Sequence, residues 1–141
     1  MRNQVRDIYR IIDANYNRIN EGLRVIEEYF RFITENIDIQ KKIKEIRHIL
    51  FSEITANFDY SKLLEFRDSQ NDPGSKYSTN SELDKSSAEN ILISNFKRIQ
   101  ESLRVLEEYS KLIYPESSIT FKKLRFELYE IEKKCCGNIE L

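Results

Sequence analysis

Apolar side chains recur every three or four residues along most of this chain. The recurrence covers residues 8–33, 39–54, 92–113 and 121–131. A spacing close to 3.6 residues is typical of amphipathic helices with one buried face. Asp38 and Ser86, which precede the second and third stretches, are the residue types that cap helix N-termini. The pattern therefore predicts four helices.

The periodicity stops between the second and third predicted helices. Residues from about 57 to 85 are polar and include the turn sequence Asn71-Asp72-Pro73-Gly74. We predict a single all-α domain over residues 1–141, a four-helix bundle built from two repeated α-hairpins. The half-repeats lie at about 5–56 and 86–136, and the long connecting loop at about 57–85.

An internal repeat supports the two-hairpin arrangement. The segment 15–29, NYNRINEGLRVIEEY, matches NFKRIQESLRVLEEY at 95–109, so each residue lies 80 positions before its counterpart. A weaker match relates Arg47 to Arg125, 78 positions apart. Each half is thus a long helix followed by a return helix.

Polar identities in the repeat have two explanations. Arginine and glutamate at i and i+4, such as Arg24 and Glu28, could form exposed pairs that contribute about 0.3–0.5 kcal/mol each. Alternatively, Asn15 and Arg18 extend the buried row that continues to Gly22, which would favour an anion as their partner. Arginines from both halves would then hold phosphate groups in bidentate fashion. They are Arg18, Arg98, Arg47 and Arg125.

Composition limits the function classes. The 141 residues carry 23 Lys and Arg against 24 Asp and Glu, a net charge of -1, so nucleic acid is not an expected partner. No apolar run reaches the roughly 20 residues that span a bilayer, and the charged start lacks a secretory signal, so no membrane association is expected. The adjacent cysteines Cys135 and Cys136 match no metal-ligand spacing. These features predict a cytoplasmic protein.

The polar connection contains candidate chemistry. Arg67, Asp68 and Asp72 place a cation and two carboxylates within a few residues. Carboxylates on a loop could position Mg²⁺ for phosphoryl transfer. A solvated turn rich in Asp and Asn explains the same residues.

The segment 12–28, IDANYNRINEGLRVIEE, resembles the signature of a helical domain that is fused N-terminally to thiamine-phosphate synthase in some bacteria. The likeness continues through Arg47-His48, Arg67-Asp68, Asp72-Pro73-Gly74 and the second repeat. This family is described as a hydroxymethylpyrimidine phosphate kinase unrelated to the ribokinase-like enzyme. The resemblance implies an ATP-dependent phosphotransferase, a stand-alone phosphomethylpyrimidine kinase that makes 4-amino-5-hydroxymethyl-2-methylpyrimidine diphosphate for thiamine biosynthesis.

Carried over to this chain, the resemblance implies a set of residues that line the site. They are Asn15, Arg18, Glu21, Arg24, Arg47, Arg67, Asp68, Asn95, Arg98, Glu101 and Arg104. We expect Asp68, Arg67 and Arg24 to be catalytic, and the other members, with Arg125, to bind the substrate and its phosphates. Asp68 and Asp72 are the predicted Mg²⁺ ligands, and ATP is the predicted phosphate donor.

Two other functions remain open. The chain is alternatively a non-catalytic module that binds a pyrimidine phosphate, with the same arginines but no need for nucleotide. It is alternatively a helical scaffold associated with thiamine-phosphate synthase, in which Arg24 and Arg104 stabilise a homodimer. The expected partners are the pyrimidine phosphate, ATP, a second copy and the synthase.

Overall fold

The computed structural model describes residues 3–78 and 85–139 and contains helices and loops without strands over those ranges. Five α-helices are described: α1 (Gln4–Glu28), α2 (Ile37–Asn57), α3 (Tyr60–Glu65), α4 (Ala88–Tyr109) and α5 (Ser117–Cys136). A π-helical turn, Tyr29–Ile33, extends α1, and a 3₁₀ turn, Ser110–Leu112, extends α4. The all-helical prediction is confirmed.

Side-chain caps fix where the long helices begin. Asn3, Asn36 and Ser87 each have extended backbone and accept a hydrogen bond from the amide three residues ahead. The caps predicted at Asp38 and Ser86 are therefore wrong by two residues and one residue. Asp38 instead lies in the first turn of α2, where a carboxylate favours the helix dipole.

The core is centred on the contact between α1 and α4, the most extensive in the fold. Their buried faces contribute Ile19, Leu23, Phe96 and Leu103. Gly22 allows a close approach of the two helices, since a Cβ atom there would be 2.7 Å from Cγ1 of Ile99. The repeated segments thus pack directly against each other.

Each repeat ties its long helix to its return helix through an ion pair with a buried glutamate. In the first repeat Glu27 of α1 accepts a hydrogen bond from Arg47 of α2, with Nη2 3.2 Å from Oε2. In the second, Arg125 of α5 binds Glu107 of α4 through Nε and Nη2. Repeated polar residues therefore have a structural role in both hairpins.

The predicted connection between the hairpins is not all loop. Tyr60–Glu65 forms α3, which begins at the cap residue Asp59 and buries Leu63 against α1. Residues 79–84 of the connection lie outside the described residues. None of the described helices has the length and apolar character needed to cross a membrane.

Candidate functional site

A polar cleft of about 650 Å³ lies between the N-terminal half of α1 and the loop that follows α3. One wall is a helical face that carries Arg10, Ala14, Arg18 and Glu21, spaced three or four residues apart. The opposite wall is the loop segment 67–72. The cleft therefore brings together residues that are about 50 positions apart in the sequence.

Arg67 holds the loop against α1 through Asp13. Its Nε lies 2.7 Å from Oδ2 of Asp13, and its Nη2 lies 2.6 Å from Oδ1. Asn17 donates a third hydrogen bond to the same carboxylate at 3.2 Å. Asp13 is buried, and its hydrogen bonds raise the pKa of Arg67. This bidentate pair fixes one wall of the cleft relative to the other.

Arg10 and Arg18 are the cationic groups of the cleft that this pair leaves available. Arg18 is exposed, and its Nη1 makes one long contact of 3.4 Å with Oδ1 of Asn15. Arg10 makes no hydrogen bond or ion pair with any described residue. Asn15 is buried, and its amide donates to the carbonyl of Ile11 at 2.8 Å. The predicted burial is thus confirmed for Asn15 and wrong for Arg18.

Asp68 and Asp72 build the turns of the loop wall. Both oxygens of Asp68 accept from the Asn71 side chain, and Oδ1 also accepts from the Asn71 backbone amide. These bonds lower the pKa of Asp68, and the charge of Arg10 acts in the same direction. Asp72 accepts from the backbone amide of Gly74 at 2.8 Å.

The carboxylates of Asp68 and Asp72 do not by themselves provide a complete set of ligands for Mg²⁺. The oxygens of Asp68 are engaged by Asn71, and over residues 3–78 and 85–139 no three His, Cys, Asp or Glu side chains cluster closely enough to hold a metal ion. Magnesium binding stays a prediction in which a bound phosphate would have to supply further oxygens.

The cleft gathers one part of the predicted site set and leaves out the other. Its lining includes Asn15, Arg18, Glu21, Arg67, Asp68 and Asp72. The lining does not include Arg24, Arg47, Asn95, Arg98, Glu101, Arg104 or Arg125. The first group comes from α1 and the loop, and the second comes mostly from the second repeat.

Several residues outside the cleft already have protein partners. Arg47 and the mostly exposed Arg24 both contact Glu27 at 3.2 Å. Arg125 is buried with Glu107 and also donates to the hydroxyl of Tyr129 at 2.8 Å.

Arg104 is exposed on α4, and its Nη2 lies 3.3 Å from Oε1 of Glu108. Asn95 lies near the contact between α1 and α4, where its Oδ1 would be 3.6 Å from a Cβ at position 22. Arg98 and Glu101 are exposed on α4.

Sequence reasoning missed Arg10 and Asp13. Arg10 could have been found by helical spacing, because it lies on the same face as Ala14 and Arg18. Asp13 offers only a weak signal, a carboxylate between the buried residues Ile12 and Tyr16. Its partner Arg67 is 54 residues away, which no local spacing reveals.

Comparison with known proteins identifies a family for this chain. The model of the ThiD2 family matches residues 10–134. No solved structure matches the chain.

Curated relatives cover the chain nearly end to end. The thiamine-phosphate synthase of Nostoc punctiforme is 38% identical over 131 residues, which is 93% of this chain and 36% of that protein. The thiamine-phosphate synthase of Thermosynechococcus vestitus is 40% identical over 124 residues, 88% of this chain and 34% of that protein. The thiamine-phosphate synthase of Rhodopirellula baltica is 33% identical over 136 residues, which is 94% of this chain and 36% of that protein. This chain therefore spans about a third of the length of these relatives.

These relatives correct one prediction. They are named thiamine-phosphate synthase and not phosphomethylpyrimidine kinase, so the kinase assignment made from the resemblance is contradicted. The broader expectation, a helical family of thiamine biosynthesis whose relatives are enzymes, is supported.

Proposed function

The chain belongs to the ThiD2 family, and from this premise we propose that it binds a pyrimidine phosphate for thiamine-phosphate synthesis in the cleft between α1 and the loop 67–72. The observation that carries the proposal is the pairing of two available arginines, Arg10 and Arg18, with acidic side chains in one cleft.

The charges of the cleft suit a ligand with two different ends. Besides the Asp13–Arg67 pair, the cleft is lined by Arg10 and Arg18, guanidinium forks that match phosphate oxygens, and by four carboxylates. The carboxylates are Asp7, Glu21, Asp68 and Asp72. Glu21 is an acceptor-only group that would take a hydrogen bond from an exocyclic amine. A bare phosphate would use only the arginines, whereas an aminopyrimidine phosphate would use both groups.

Binding to the protein can be measured by calorimetric titration with 4-amino-5-hydroxymethyl-2-methylpyrimidine phosphate. We expect saturable binding that Arg18→Ala weakens by about 10-fold to 100-fold, the range for losing a hydrogen bond to a charged group. The unphosphorylated pyrimidine should bind weakly to both proteins, because it lacks the group that the arginines contact.

Arg98→Ala is the matched control. Arg98 is the repeat counterpart of Arg18 and is also exposed, but it lies outside the cleft. The control should bind the phosphate as the unaltered chain does. Equal weakening by both substitutions, or no binding to the unaltered chain, would show that the cleft is not the site.

The predicted ATP and Mg²⁺ ligands are tested in the same format. Titration with ATP, with and without Mg²⁺, followed by addition of the pyrimidine phosphate shows whether the two compete. We expect competition if ATP phosphates use Arg10 and Arg18, since a single pair of guanidinium groups cannot serve both ligands fully.

We also infer that α1, α2, α4 and α5 form a four-helix bundle of two related hairpins that serves as the scaffold of this site. Contacts of α1 with α2, of α4 with α5 and of α1 with α4 support this arrangement. So do the equivalent ion pairs Glu27–Arg47 and Glu107–Arg125.

A further inference from the structure

A second surface, which shares no lining residue with the polar cleft, is an open apolar groove between α2 and α5. It offers about 900 Å³ of space between Ile46 and Ile49 on α2 and Ile119 and Phe126 on α5. The side chains of Ile119 and Phe126 are 71% and 52% exposed. Exposed apolar side chains that are contiguous and rimmed by charges are typical of interaction surfaces.

The charges on the rim have an order along α5. Lys122 and Lys123 lie on the N-terminal side of Phe126, and Glu127 and Glu130 lie on its C-terminal side. None of these four makes an ion pair within 4 Å in the part of the chain that the structure describes. Lysine before glutamate is the less favourable order for pairing within a helix. Within α5, Lys122 instead lies over the ring of Phe126, with Nζ 6.0 Å from the ring centroid.

The order does match a second copy of α5 running in the opposite direction. Lys122 and Glu130 are each four residues from Phe126, or about 6 Å along the helix axis. A two-fold axis at Phe126 would therefore place Lys122 of each copy beside Glu130 of the other. An isologous dimer requires this kind of self-complementary surface.

We propose that the groove between α2 and α5 is the interface of a homodimer, with antiparallel α5 helices crossing at Phe126. The exposed Phe126 rings of the two copies meet at the two-fold axis, beside Ile49 at the edge of each groove. Two Lys122–Glu130 pairs close the rim and set the direction of the helices. This dimer does not depend on the ligand proposed for the cleft.

Sedimentation equilibrium over a dilution series tests the proposal. The unaltered chain should approach twice the monomer mass as its concentration rises. Lys122→Glu and Glu130→Lys should each raise the dimer Kd at least 10-fold, because each puts like charges together at both ends of the interface. Lys62→Glu, an exposed charge reversal on α3, is the control and should leave the Kd unchanged.

Complementation makes the test specific to this geometry. A one-to-one mixture of the Lys122→Glu and Glu130→Lys chains should recover a dimer, because opposite charges then meet at both ends. The double variant should also dimerise with itself. Circular dichroism confirms that each variant is helical.

A chain that stays monomeric at every concentration would overturn the proposal, and a different protein would then be the candidate occupant of the groove. A dimer that neither single reversal weakens would place the interface elsewhere on the chain.

Discussion

The two repeats share one sequence pattern but only the first forms the cleft. Asn15 and Asn95 make the same hydrogen bond, each amide donating at 2.8 Å to the carbonyl four residues earlier. The difference lies two residues before them, where the first repeat has Asp13 and the second has Ile93. Only Asp13 can hold Arg67, and with it the loop that forms the second wall.

The ion pairs of the hairpins differ as well. Arg125 binds Glu107 in bidentate fashion and also reaches Tyr129, and both charged partners are buried. Arg47 makes one contact with Glu27, and its buried Nε has no hydrogen-bond partner among the described residues. The ion pair of the second repeat is thus more deeply buried and has more hydrogen bonds than that of the first.

The largest expected effect comes from breaking the second-repeat pair. Glu107→Ala should lower the free energy of unfolding by about 3–5 kcal/mol, because it leaves Arg125 as an uncompensated buried charge. Glu27→Ala should cost less, about 1–3 kcal/mol, since Arg47 is partly exposed and Arg24 is mostly exposed. Urea denaturation measures both.

A double replacement separates charge from packing at that pair. Glu107→Leu combined with Arg125→Met should recover most of the stability, because no unpaired charge remains. Equal losses in Glu27→Ala and Glu107→Ala would remove the proposed difference between the repeats.

The next effect concerns the loop wall. Arg67→Ala should lower the free energy of unfolding by about 1–2 kcal/mol, the cost of leaving buried Asp13 with Asn17 alone. The expected loss of stability is smaller than for a fully buried ion pair, because the Arg67 side chain is 38% exposed and solvent screens its charge. Thermal and urea unfolding measure it.

Arg104→Ala is the matched surface substitution in the second repeat. Arg104 is 60% exposed beside Glu107 and Glu108, so we expect a change within about 0.5 kcal/mol. A loss as large as that of Arg67→Ala would mean that the Asp13 pair contributes no more than a surface contact.

A smaller effect distinguishes the counterparts Gly22 and Ser102. Gly22→Ala should destabilise the chain by about 1 kcal/mol, because the new Cβ would overlap Ile99 while the helix preference of alanine offsets part of the cost. Ser102→Ala should change the stability by about 0.5 kcal/mol or less, since a Cβ is already accommodated there. Parallel urea titrations compare the two, and a stabilising Gly22→Ala would contradict the close approach.

The smallest effect is a titration in the loop. Asn71→Ala should raise the pKa of Asp68 toward its ordinary value of 3.8, because the hydrogen bonds of the Asn71 side chain are lost. A carboxyl whose folded pKa is lowered contributes stability above its unfolded pKa and loses it as the pH falls through the folded pKa. The variant should therefore lose stability less steeply in acid, and carboxyl chemical shifts followed by NMR report the pKa directly. An unchanged pKa would show that Asn71 does not set it.

Local pattern in the sequence determined the helices. Apolar spacing identified all four long helices, and the 80-residue repeat predicted that each half pairs a long helix with a return helix. Caps were predicted within two residues, because several Asn, Asp and Ser residues near a helix start compete for the same role. The short α3 was missed, since one buried leucine, Leu63, leaves too little periodicity to detect.

Tertiary structure decided which of the repeated polar residues face a cleft and which are held by other protein groups. Arg18 and Arg98 occupy equivalent positions in the repeat, yet only Arg18 lies in the cleft, beside the loop that Arg67 anchors to Asp13. Helical period gives the face on which a side chain lies but not what packs opposite it. Partners 54 residues apart are brought together by packing of the whole chain, so the cleft became visible only in three dimensions.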